Sequence, residues 1–312
     1  MASFITRTSC PCCGSVDIVK ALACKDFTVS NEIFDIMECG NCMLRFTQSA
    51  PDQDSIATYY QSDTYISHTD TQKGFVNKLY LKARNYTLAW KIKLLDKSAG
   101  NQEHKRELLD IGAGTGAFLD KAHHSGWVVT GLEPDQGARK ICLDKYGIQS
   151  EMPEKLFELP AQKYDAVTMW HVLEHVHQLH EYLDQIKLLL KPGGVALIAL
   201  PNYTSKDAAE YKSFWAAYDV PRHLYHFSPQ SMDFLATKHG MKLESMRPMW
   251  LDAFYIAILS EQYKNGKGNL LAAAWNGFNS NVFALKNKKA CSSLVYLLRK
   301  DDIEVNPPIL VQ

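Results

Sequence analysis

A glycine-rich turn directly after a short apolar run is the feature that most restricts the fold of this chain. Residues 107–111 read as a buried strand, the turn GAGTG spans residues 112–116, and residues 115–124 read as a helix. Glycines at alternate positions let a ligand approach the backbone where side chains would block it. In α/β sheets, ligands bind at the carboxyl ends of the strands. The turn therefore predicts a ligand site at such an edge.

An acidic residue follows the second predicted strand, residues 127–132. Glu133 follows the glycine turn at about the expected distance along the sequence. A carboxylate at this position can accept hydrogen bonds from both hydroxyls of a ribose. A dinucleotide site usually carries GxGxxG, and a phosphate loop needs GK[ST]; the turn has neither. The spacing GxGxG after an acidic residue fits a nucleoside that carries an amino acid better than it fits a pyrophosphate.

Strand-like and helix-like segments alternate from residue 107 onward. The strands are expected at residues 107–111, 127–132, 148–152, 164–170, 195–200, 242–247 and 292–298. The helices are expected at residues 115–124, 136–146 and 179–190, and a further helix begins at Pro229 after Ser228 and is closed by Gly240. A long, partly apolar insertion, residues 250–290, precedes the last strand. Such alternation predicts an α/β, Rossmann-like doubly wound fold with a mostly parallel seven-stranded sheet.

Four cysteines near the start of the chain form two C-x-x-C pairs, Cys10/Cys13 and Cys39/Cys42. Two such knuckles give the tetrahedral set of four thiolates that zinc prefers, which predicts a small zinc ribbon. The alternative is unpaired core thiols, and Cys12 leaves the register of the first pair open. A site with four thiolates has no open position for a substrate, so this zinc would serve folding. The isolated cysteines are expected in the core: Cys24, Cys142 and Cys291.

The length of 312 residues indicates about two domains. We expect a zinc-ribbon-like domain at residues 1–48, a helical connector or lid at 49–106, and an α/β domain at 107–312 that contains the insertion. The connector should have one apolar face, made of Val76, Leu79, Ala83, Tyr86 and Trp90. Six aromatic residues are candidates for a lid, with plain packing as the alternative: Tyr59, Tyr60, Tyr65, Phe214, Trp215 and Tyr218.

The balance of charges argues against a surface built to bind nucleic acid. The chain has 34 Lys+Arg and 34 Asp+Glu, a formal net charge of zero, whereas phosphate attraction needs a clustered basic face. No apolar run approaches the roughly 20 residues that span a bilayer. The first nine residues lack the apolar core of a signal peptide. We therefore expect a cytoplasmic protein without a membrane span.

Four motifs in order make residues 107–200 resemble the class I S-adenosylmethionine-dependent methyltransferases: LLDIGAGTG, GLEPD, YDAVTMWHVLEHV and LKPGG. The resemblance implies that the last strand of the sheet is antiparallel and that S-adenosylmethionine is the cofactor. It also implies the residues that hold this cofactor: Asp110, Gly112, Ala113, Gly114, Gly116, Glu133, Trp170 and His171. Glu151 or the backbone near Met152 is the candidate contact for the adenine.

Methyl transfer to a carbon or a hydroxyl also removes a proton, and histidine is a suitable base near neutral pH. His223 and His226 lie in the loop PRHLYHFS, and His171 begins HVLEHV. In the same loop, Arg222 is a candidate to hold an anionic acceptor. The alternative for the loop is plain packing. For Glu174 and His175 we favour structural hydrogen bonding over a metal site with His171, because the motif is not HExxH.

The front module and the PRHLYHFS loop resemble those of small-molecule methyltransferases, including sugar C-methyltransferases. The VLEHV motif also resembles that of the quinone-biosynthesis O-methyltransferases. The sequence therefore predicts methyl transfer to carbon or oxygen of a small metabolite, free or carried on a larger molecule. The alternatives are an RNA methyltransferase and a non-catalytic module that binds the cofactor or a partner. The acceptor and the oligomeric state do not follow from the sequence.

Overall fold

The computed structural model describes residues 3–60, 75–100 and 104–300 of the chain. Its first part is a small β module. The strands of the module are β1 (Phe4–Ile5), β2 (Ile18–Lys25), β3 (Ile33–Cys39), β4 (Arg45–Thr47) and β5 (Ala50–Pro51). β2, β3 and β4 form an antiparallel sheet, and β1 pairs with β5. The strands β2 and β3 lie between the two cysteine pairs.

A long helix, α1 (Phe75–Ala99), follows the module. Its last turns bury Ile92, Leu95 and Ala99 against the main sheet. The predicted apolar face is wrong at Tyr86, whose side chain is 67% exposed. The side of α1 that packs on the sheet is the one that carries the buried residues of its last turns. Tyr86 lies on a different side of the helix. Three residues named in the sequence analysis lie outside the described side chains: Tyr65, Val76 and Leu79.

Alternating strands and helices build the rest of the chain. They are β6 (Glu107–Ile111), α2 (Ala117–His124), β7 (Val128–Leu132), α3 (Gln136–Tyr146), β8 (Ser150–Glu151), β9 (Tyr164–Trp170), α4 (Leu179–Leu189), β10 (Leu190–Pro201), α5 (Lys206–Tyr211), β11 (Tyr225–His226), α6 (Pro229–Lys238), β12 (Met241–Pro248), α7 (Asp252–Asn265), α8 (Leu270–Lys286) and β13 (Ser293–Lys300). Short 3₁₀ helices occur at Ile56–Tyr60, Pro153–Glu158, Leu173–His175, Lys212–Phe214, Ala216–Tyr218 and Lys288–Ala290.

Seven strands form one sheet in the order β12-β13-β10-β9-β6-β7-β8. β13 runs antiparallel to both of its neighbours, β10 and β12, whereas the pairs formed by β6, β7, β8, β9 and β10 are parallel. The predicted mostly parallel sheet with an antiparallel last strand is confirmed. Nearly every residue of the central strands is buried, as expected for a parallel sheet covered by helices on both faces.

Local capping signals begin and end α6 where the sequence places them. The Ser228 side chain accepts from the Ser231 backbone N–H, Ser231 returns the bond, and Pro229 occupies the first helical position of α6. Gly240, with φ +61°, follows the end of that helix as predicted. A capping box of this kind contributes about 1 kcal/mol. It also fixes where the histidine-rich loop before α6 must end.

The insertion between β12 and β13 folds as two packed helices, α7 and α8. The backbone of α8 lies close to α7 because Gly277 leaves room: a Cβ there would lie 2.7 Å from Phe254 Cδ1. In the part of the chain that the structure describes, no helix combines the length and the hydropathy needed to cross a membrane.

The β module is joined to the main domain by backbone pairing. β11 adds as an edge strand to β4, so the module sheet has the order β11-β4-β3-β2. Side chains of the main domain also bind the first cysteine knuckle: Lys238 Nζ donates to the Cys12 carbonyl (2.7 Å), and His180 Nε2 donates to the Pro11 carbonyl (2.9 Å). β4 therefore holds the end of the loop that carries His223 and His226, and the first cysteine knuckle holds the helix α6 that follows the loop.

Candidate active site

The glycine turn lies at the carboxyl end of β6, against the turn that follows β9. Gly112 has φ +76°, and a Cβ at this position would lie 2.3 Å from Val172 Cγ2. Only glycine combines this backbone conformation with so close an approach. Gly114 also has a positive φ, but a Cβ there would meet nothing within 4 Å. The turn thus packs closely on Val172 and leaves open space at Gly114, where a ligand can approach the backbone.

Asp110 is buried at the end of β6, just before this turn. Its Oδ1 accepts from Thr168 Oγ1 at 2.6 Å. Burial raises the pKa of Asp110 to about 7, although the Thr168 hydroxyl and the nearby Lys91 oppose the rise. Lys91, on α1, lies with its Nζ 4.1 Å from the centroid of the Trp170 ring. Burial lowers the pKa of Lys91 to about 8, so this acid and this base share one enclosed environment.

Glu133 ends β7 beside the glycine turn. Its Oε2 accepts from the Gly114 backbone N–H (2.7 Å), and its Oε1 accepts from the Asp135 backbone N–H (2.9 Å). Burial raises the pKa of Glu133, and these two hydrogen bonds oppose the rise. Each carboxylate oxygen keeps a lone pair. The carboxylate is thus held rigidly and can still accept from the two hydroxyls of a ribose.

Trp170 and His171 lie where β9 ends. Trp170 packs edge-on against Phe118, and its buried Nε1 has no hydrogen-bond partner among the described residues. An unpaired buried donor is costly, so a bound ligand that accepts from it would be favoured. Together with the open space at Gly114 and the acceptor capacity of Glu133, this donor fits a polar nucleoside cofactor such as S-adenosylmethionine.

His171 is held between two carboxylates. Its Nε2 donates to Asp252 Oδ2 at 3.1 Å, and its Nδ1 lies 3.6 Å from Glu174 Oε1. Burial by itself would lower the pKa of His171, but the hydrogen bond to Asp252 and the nearby Glu174 carboxylate outweigh it and raise the pKa to about 9. His171 therefore carries a positive charge at neutral pH.

The VLEHV turn and the PRHLYHFS loop meet at this edge of the sheet. A carboxylate oxygen of Glu174, a ring nitrogen of His175 and a ring nitrogen of His223 all lie within 4.8 Å of one another. The rings of His175 and His223 pack edge-to-face with their centroids 4.5 Å apart. The Leu224 backbone N–H donates to the Glu174 carbonyl at 2.8 Å. Two motifs that are distant in sequence therefore form one site.

The hydrogen bonds of the imidazoles define their tautomers, because a carbonyl can only accept. His223 Nδ1 donates to the Ala217 carbonyl (2.9 Å), and His175 Nδ1 donates to the Arg222 carbonyl (3.1 Å). In the neutral form of either ring, the lone pair is therefore on Nε2. Burial lowers the pKa of His175 to about 4, so His175 is neutral at pH 7.

Glu174 is fully buried, and neither oxygen of its carboxylate has a hydrogen-bond partner within the described ranges. Of the structural hydrogen bonding that we expected for Glu174 and His175, His175 makes its part with the Arg222 carbonyl, whereas the Glu174 carboxylate makes none with the residues that the structure describes. Burial would raise the pKa of Glu174, but the His171 imidazolium outweighs this effect and holds the pKa below its usual value. The site thus contains a buried, charged carboxylate that faces imidazoles. Glu174, His175 and His223 could also coordinate a cation.

His226 lies deeper than His223, in β11. Its Nε2 is 3.2 Å from Thr47 Oγ1, and the Thr47 hydroxyl donates to the His223 carbonyl at 2.6 Å. Because the hydroxyl hydrogen is used in that bond, His226 Nε2–H must donate to Thr47. Burial lowers the pKa of His226 well below its usual value, so the ring is neutral. His226 thereby links the β module to the backbone of His223.

The prediction that Arg222 holds an anionic methyl acceptor was wrong. Its guanidinium is fully buried and donates to Asp219 (2.6 Å), to Asp26 (3.0 Å) and to the Tyr59 carbonyl (2.9 Å). A buried arginine needs partners for its donors and its charge, and the nearby Asp219 and, from the β module, Asp26 supply the charge. Arg222 therefore joins the loop to the module.

Most of the aromatic residues considered for a lid pack in the interior. Tyr59, Trp215 and Tyr218 are buried in one apolar cluster, and the Phe214 ring packs on Phe27 with a centroid distance of 5.9 Å. Tyr60 is different, because its hydroxyl lies 3.0 Å from His175 Nδ1. Plain packing, the alternative to a lid, therefore holds for Tyr59, Trp215 and Tyr218, whereas Tyr60 contacts the histidine cluster.

The four paired cysteines also come together. Cys10 Sγ lies 3.5 Å from Cys42 Sγ, and Cys13 Sγ lies 3.5 Å from Cys39 Sγ; all four sulfur atoms lie within 4.8 Å of one another. Cys12 is buried but is not part of this group. The isolated cysteines are in the core, as predicted: Cys24, Cys142 and Cys291. The first pair is thus Cys10 and Cys13.

The sheet order, the antiparallel last strand and the glycine turn beside Glu133 define a class I S-adenosylmethionine-dependent methyltransferase. Residues 80–246, more than half of the chain, match the family described as a methyltransferase domain. The chain belongs to this family, and it is an S-adenosylmethionine-dependent methyltransferase.

Comparisons with individual proteins agree with this family. The demethylmenaquinone methyltransferase of Tropheryma whipplei (strain Twist) is 27% identical over 176 residues, which cover 54% of this chain and 68% of that protein. The ubiquinone biosynthesis O-methyltransferase of Maricaulis maris (strain MCS10) is 28% identical over 155 residues, 44% of this chain and 59% of that protein. A solved structure from Galdieria sulphuraria, described as a sarcosine dimethylglycine methyltransferase, superimposes with a TM-score of 0.50 at 14% identity. It covers 80% of this chain and 99% of that one, and it supports the fold alone.

Sequence reasoning did not find three side chains that face the site. Lys91 comes from α1, Thr168 from the middle of β9, and Asp252 from the first turn of α7. Their distances along the chain from the residues they contact follow no motif. Only the packing of α1 and of the insertion against the carboxyl edge of the sheet brings them there.

Proposed function

We propose that this methyltransferase acts on a small-molecule acceptor, at a carbon or an oxygen that loses a proton. The observation that carries the proposal is the cluster of Glu174, His175 and His223 at the sheet edge, next to the glycine turn. The relatives above are named for demethylmenaquinone methylation and for ubiquinone biosynthesis. The net charge of zero supports a small molecule rather than RNA as the acceptor.

We assign the binding of S-adenosylmethionine to Asp110, Glu133, Trp170, His171 and the glycine turn, which comprises Gly112, Ala113, Gly114 and Gly116. S-adenosylmethionine supplies a methyl group on a sulfonium, and the C–S bond breaks as the acceptor atom bonds to the methyl carbon. Glu133 holds the ribose hydroxyls. The glycine backbone admits the methionine part, and Asp110 lies beside it. Alignment of this kind contributes about 7–11 kcal/mol to such reactions.

His223 is the proposed general base. Its Nδ1–H is held by the Ala217 carbonyl, so Nε2 presents a lone pair that can take the proton of the acceptor. The buried Glu174 carboxylate then stabilises the imidazolium that forms. His171 is already protonated between Asp252 and Glu174, so we assign it to the electrostatics of the site rather than to proton removal. His226 positions His223 through Thr47.

Substitutions at two positions test these roles. His223→Asn keeps a donor for the Ala217 carbonyl and removes the base, so turnover should fall by about 10²–10⁴ while the affinity for S-adenosylhomocysteine is unchanged. His226→Gln keeps a donor for Thr47 and should retain turnover, whereas His226→Ala should lower it. Formation of S-adenosylhomocysteine would be measured with catechols, hydroquinones and keto-sugar nucleotides. Unchanged turnover in His223→Asn would remove this residue from the mechanism.

A cofactor with a ¹³C-labelled methyl group would identify the acceptor atom. The chemical shift of the product methyl carbon separates a C-methyl from an O-methyl group. If calorimetry detected no binding of S-adenosylmethionine or S-adenosylhomocysteine to folded protein, the proposed use of the site would be refuted.

We further propose that Cys10, Cys13, Cys39 and Cys42 bind one structural zinc ion. Four thiolates at about 2.3 Å from zinc form a tetrahedron with edges of about 3.8 Å, and two of the sulfur–sulfur distances, both 3.5 Å, are close to this value. Thiolates stay available to a metal in a reducing compartment, which supports a cytoplasmic location. Cys39→Ser should lose the metal measured in purified protein, whereas Cys24→Ser, at a buried isolated cysteine, should retain it. Metal-free wild-type protein with normal stability would refute the site.

A further inference from the structure

The helix α8 directs its small residues inward and its large apolar residues outward. The inward residues are Ala273, Gly277, Ser280 and Ala284. The outward residues, which we call the α8 face, are Leu271, Trp275, Phe278, Val282 and Leu285, each between 40% and 86% exposed. The residues of the α8 face recur at alternating steps of four and three, so they form one continuous stripe along the helix.

This arrangement is the reverse of an ordinary surface helix, which buries its large apolar side chains and exposes polar ones. Lys286 is the one charged residue among the 17 of α8. Soluble monomers rarely expose a continuous apolar stripe of this size, and such stripes usually mark a binding surface. The α8 face therefore has the properties of a surface that meets an apolar phase.

Positive charges flank the α8 face at both ends. Lys264 and Lys267 precede the helix, and three further lysines lie at or beyond its end: Lys286, Lys288 and Lys289. All five are exposed. The acidic residues of the insertion are occupied: Asp252 accepts from His171, and Glu261 is buried and accepts from Tyr211. Lys206 adds a positive charge beside the helix, with its Nζ 5.9 Å from the centroid of the Phe283 ring. The exposed charges of the insertion are all positive.

This charge pattern selects the occupant. If a second copy paired through the α8 face, either orientation would bring lysines of the two copies together, because both ends of the helix are positive. An anionic phospholipid surface offers the opposite charge and an apolar interior. Helices that lie in a membrane interface combine an apolar face rich in Trp, Phe and Leu with flanking lysines.

We propose that α8 docks this methyltransferase on the surface of a bilayer that contains anionic phospholipid. The helix lies in the plane of the interface, with Trp275 and Phe278 among the acyl chains and the lysines against the headgroups. This docking does not depend on which acceptor is methylated, and it places the enzyme where an acceptor with a lipid tail would be available.

Vesicle flotation with the full-length protein tests the proposal. Wild-type protein should float with vesicles of equal parts phosphatidylcholine and phosphatidylglycerol, and much less with phosphatidylcholine alone. Trp275→Glu should abolish flotation, whereas Leu188→Glu, the same type of change at an exposed residue of α4, should not. A lysine near an anionic surface strengthens partitioning about fivefold. Replacement of Lys286, Lys288 and Lys289 by glutamine should therefore weaken it about a hundredfold. Circular dichroism and affinity for S-adenosylhomocysteine should be unchanged in all variants.

Tryptophan fluorescence adds a readout specific to the α8 face. Anionic vesicles should shift the emission of the wild type to shorter wavelength, and Trp275→Phe should lose most of this shift while still floating. Wild-type protein that fails to float with anionic vesicles would overturn the proposal. A concentration-dependent dimer that Trp275→Glu dissociates, in protein that does not bind vesicles, would assign the face to a second copy instead.

Discussion

The charge on His171 leads to a quantitative prediction about stability. An unperturbed histidine has a pKa of about 6.5, whereas Asp252 and Glu174 raise the pKa of His171 to about 9 in the folded protein. At about 1.4 kcal/mol for each tenfold change in proton affinity, this difference corresponds to about 3 kcal/mol. The His171 side chain is 34% exposed and that of Asp252 is 21% exposed. Solvent screening therefore reduces the contribution to about 1–2 kcal/mol.

The sign follows from proton linkage. A group whose pKa is higher in the folded state binds its proton more tightly there, so it stabilises the fold fully below pH 6.5. That stability is lost as the pH rises through about 9. Wild-type protein should therefore show a fall in the free energy of unfolding across this window that arises from His171.

The substitution Asp252→Asn removes the charge and keeps a hydrogen-bond acceptor. It should lower the pKa of His171 and reduce the free energy of unfolding at pH 7 by about 1 kcal/mol, with a flatter dependence between pH 6.5 and 9. Urea unfolding at several pH values measures the free energy. NMR titration of the His171 ring measures its pKa separately, because Lys91 also interacts with Asp252.

Asp233→Asn, at an exposed carboxylate of α6, is the control and should leave both measurements unchanged. The reasoning is refuted if the His171 ring of the wild type titrates near pH 6.5. It is also refuted if Asp252→Asn follows the wild-type stability profile across the window.

Two further substitutions test the cofactor edge. Glu133→Gln loses charged hydrogen bonds that contribute about 1.5–3 kcal/mol each, so calorimetry should find S-adenosylhomocysteine bound about ten- to a hundredfold more weakly, whereas Glu158→Gln should bind normally. Gly112→Ala forces a Cβ against Val172 at a positive φ and should lower the thermal stability. Gly147→Ala, where φ is +67° but nothing lies within 4 Å, should lower it less. Equal affinities in the first pair, or equal losses in the second, would contradict the geometry described for the site.

The parts of the fold that depend on neighbours in sequence were predictable. The GAGTG turn, Glu133 and the Ser228 cap are local signals, because hydrogen bonds within a few residues define them. The strands followed from continuous apolar runs. The alternation of strands and helices then predicted the sheet, and the resemblance carried by the four motifs implied its antiparallel last strand.

The parts that depend on distant packing were not predictable. Arg222 looked like an anion-binding residue because nothing in its loop reveals that Asp26, almost two hundred residues earlier, lies against it. Tyr86 was assigned to an apolar face whose orientation is decided by Ile92 and Leu95. Asp252 entered the site because α7 begins at the end of β12. In each case a contact between remote segments decided the outcome.

Because β4 pairs with β11, the β module also supports the loop that carries His223 and His226. A chain shortened to begin at residue 49 would retain every residue proposed to hold the cofactor. It would nevertheless lose Asp26, Thr47 and the strand β4. These parts of the β module contact Arg222, the His223 carbonyl and His226. If the four cysteines bind zinc as proposed, loss of that ion would therefore lower activity without changing the cofactor pocket, and activity would respond to the supply of zinc.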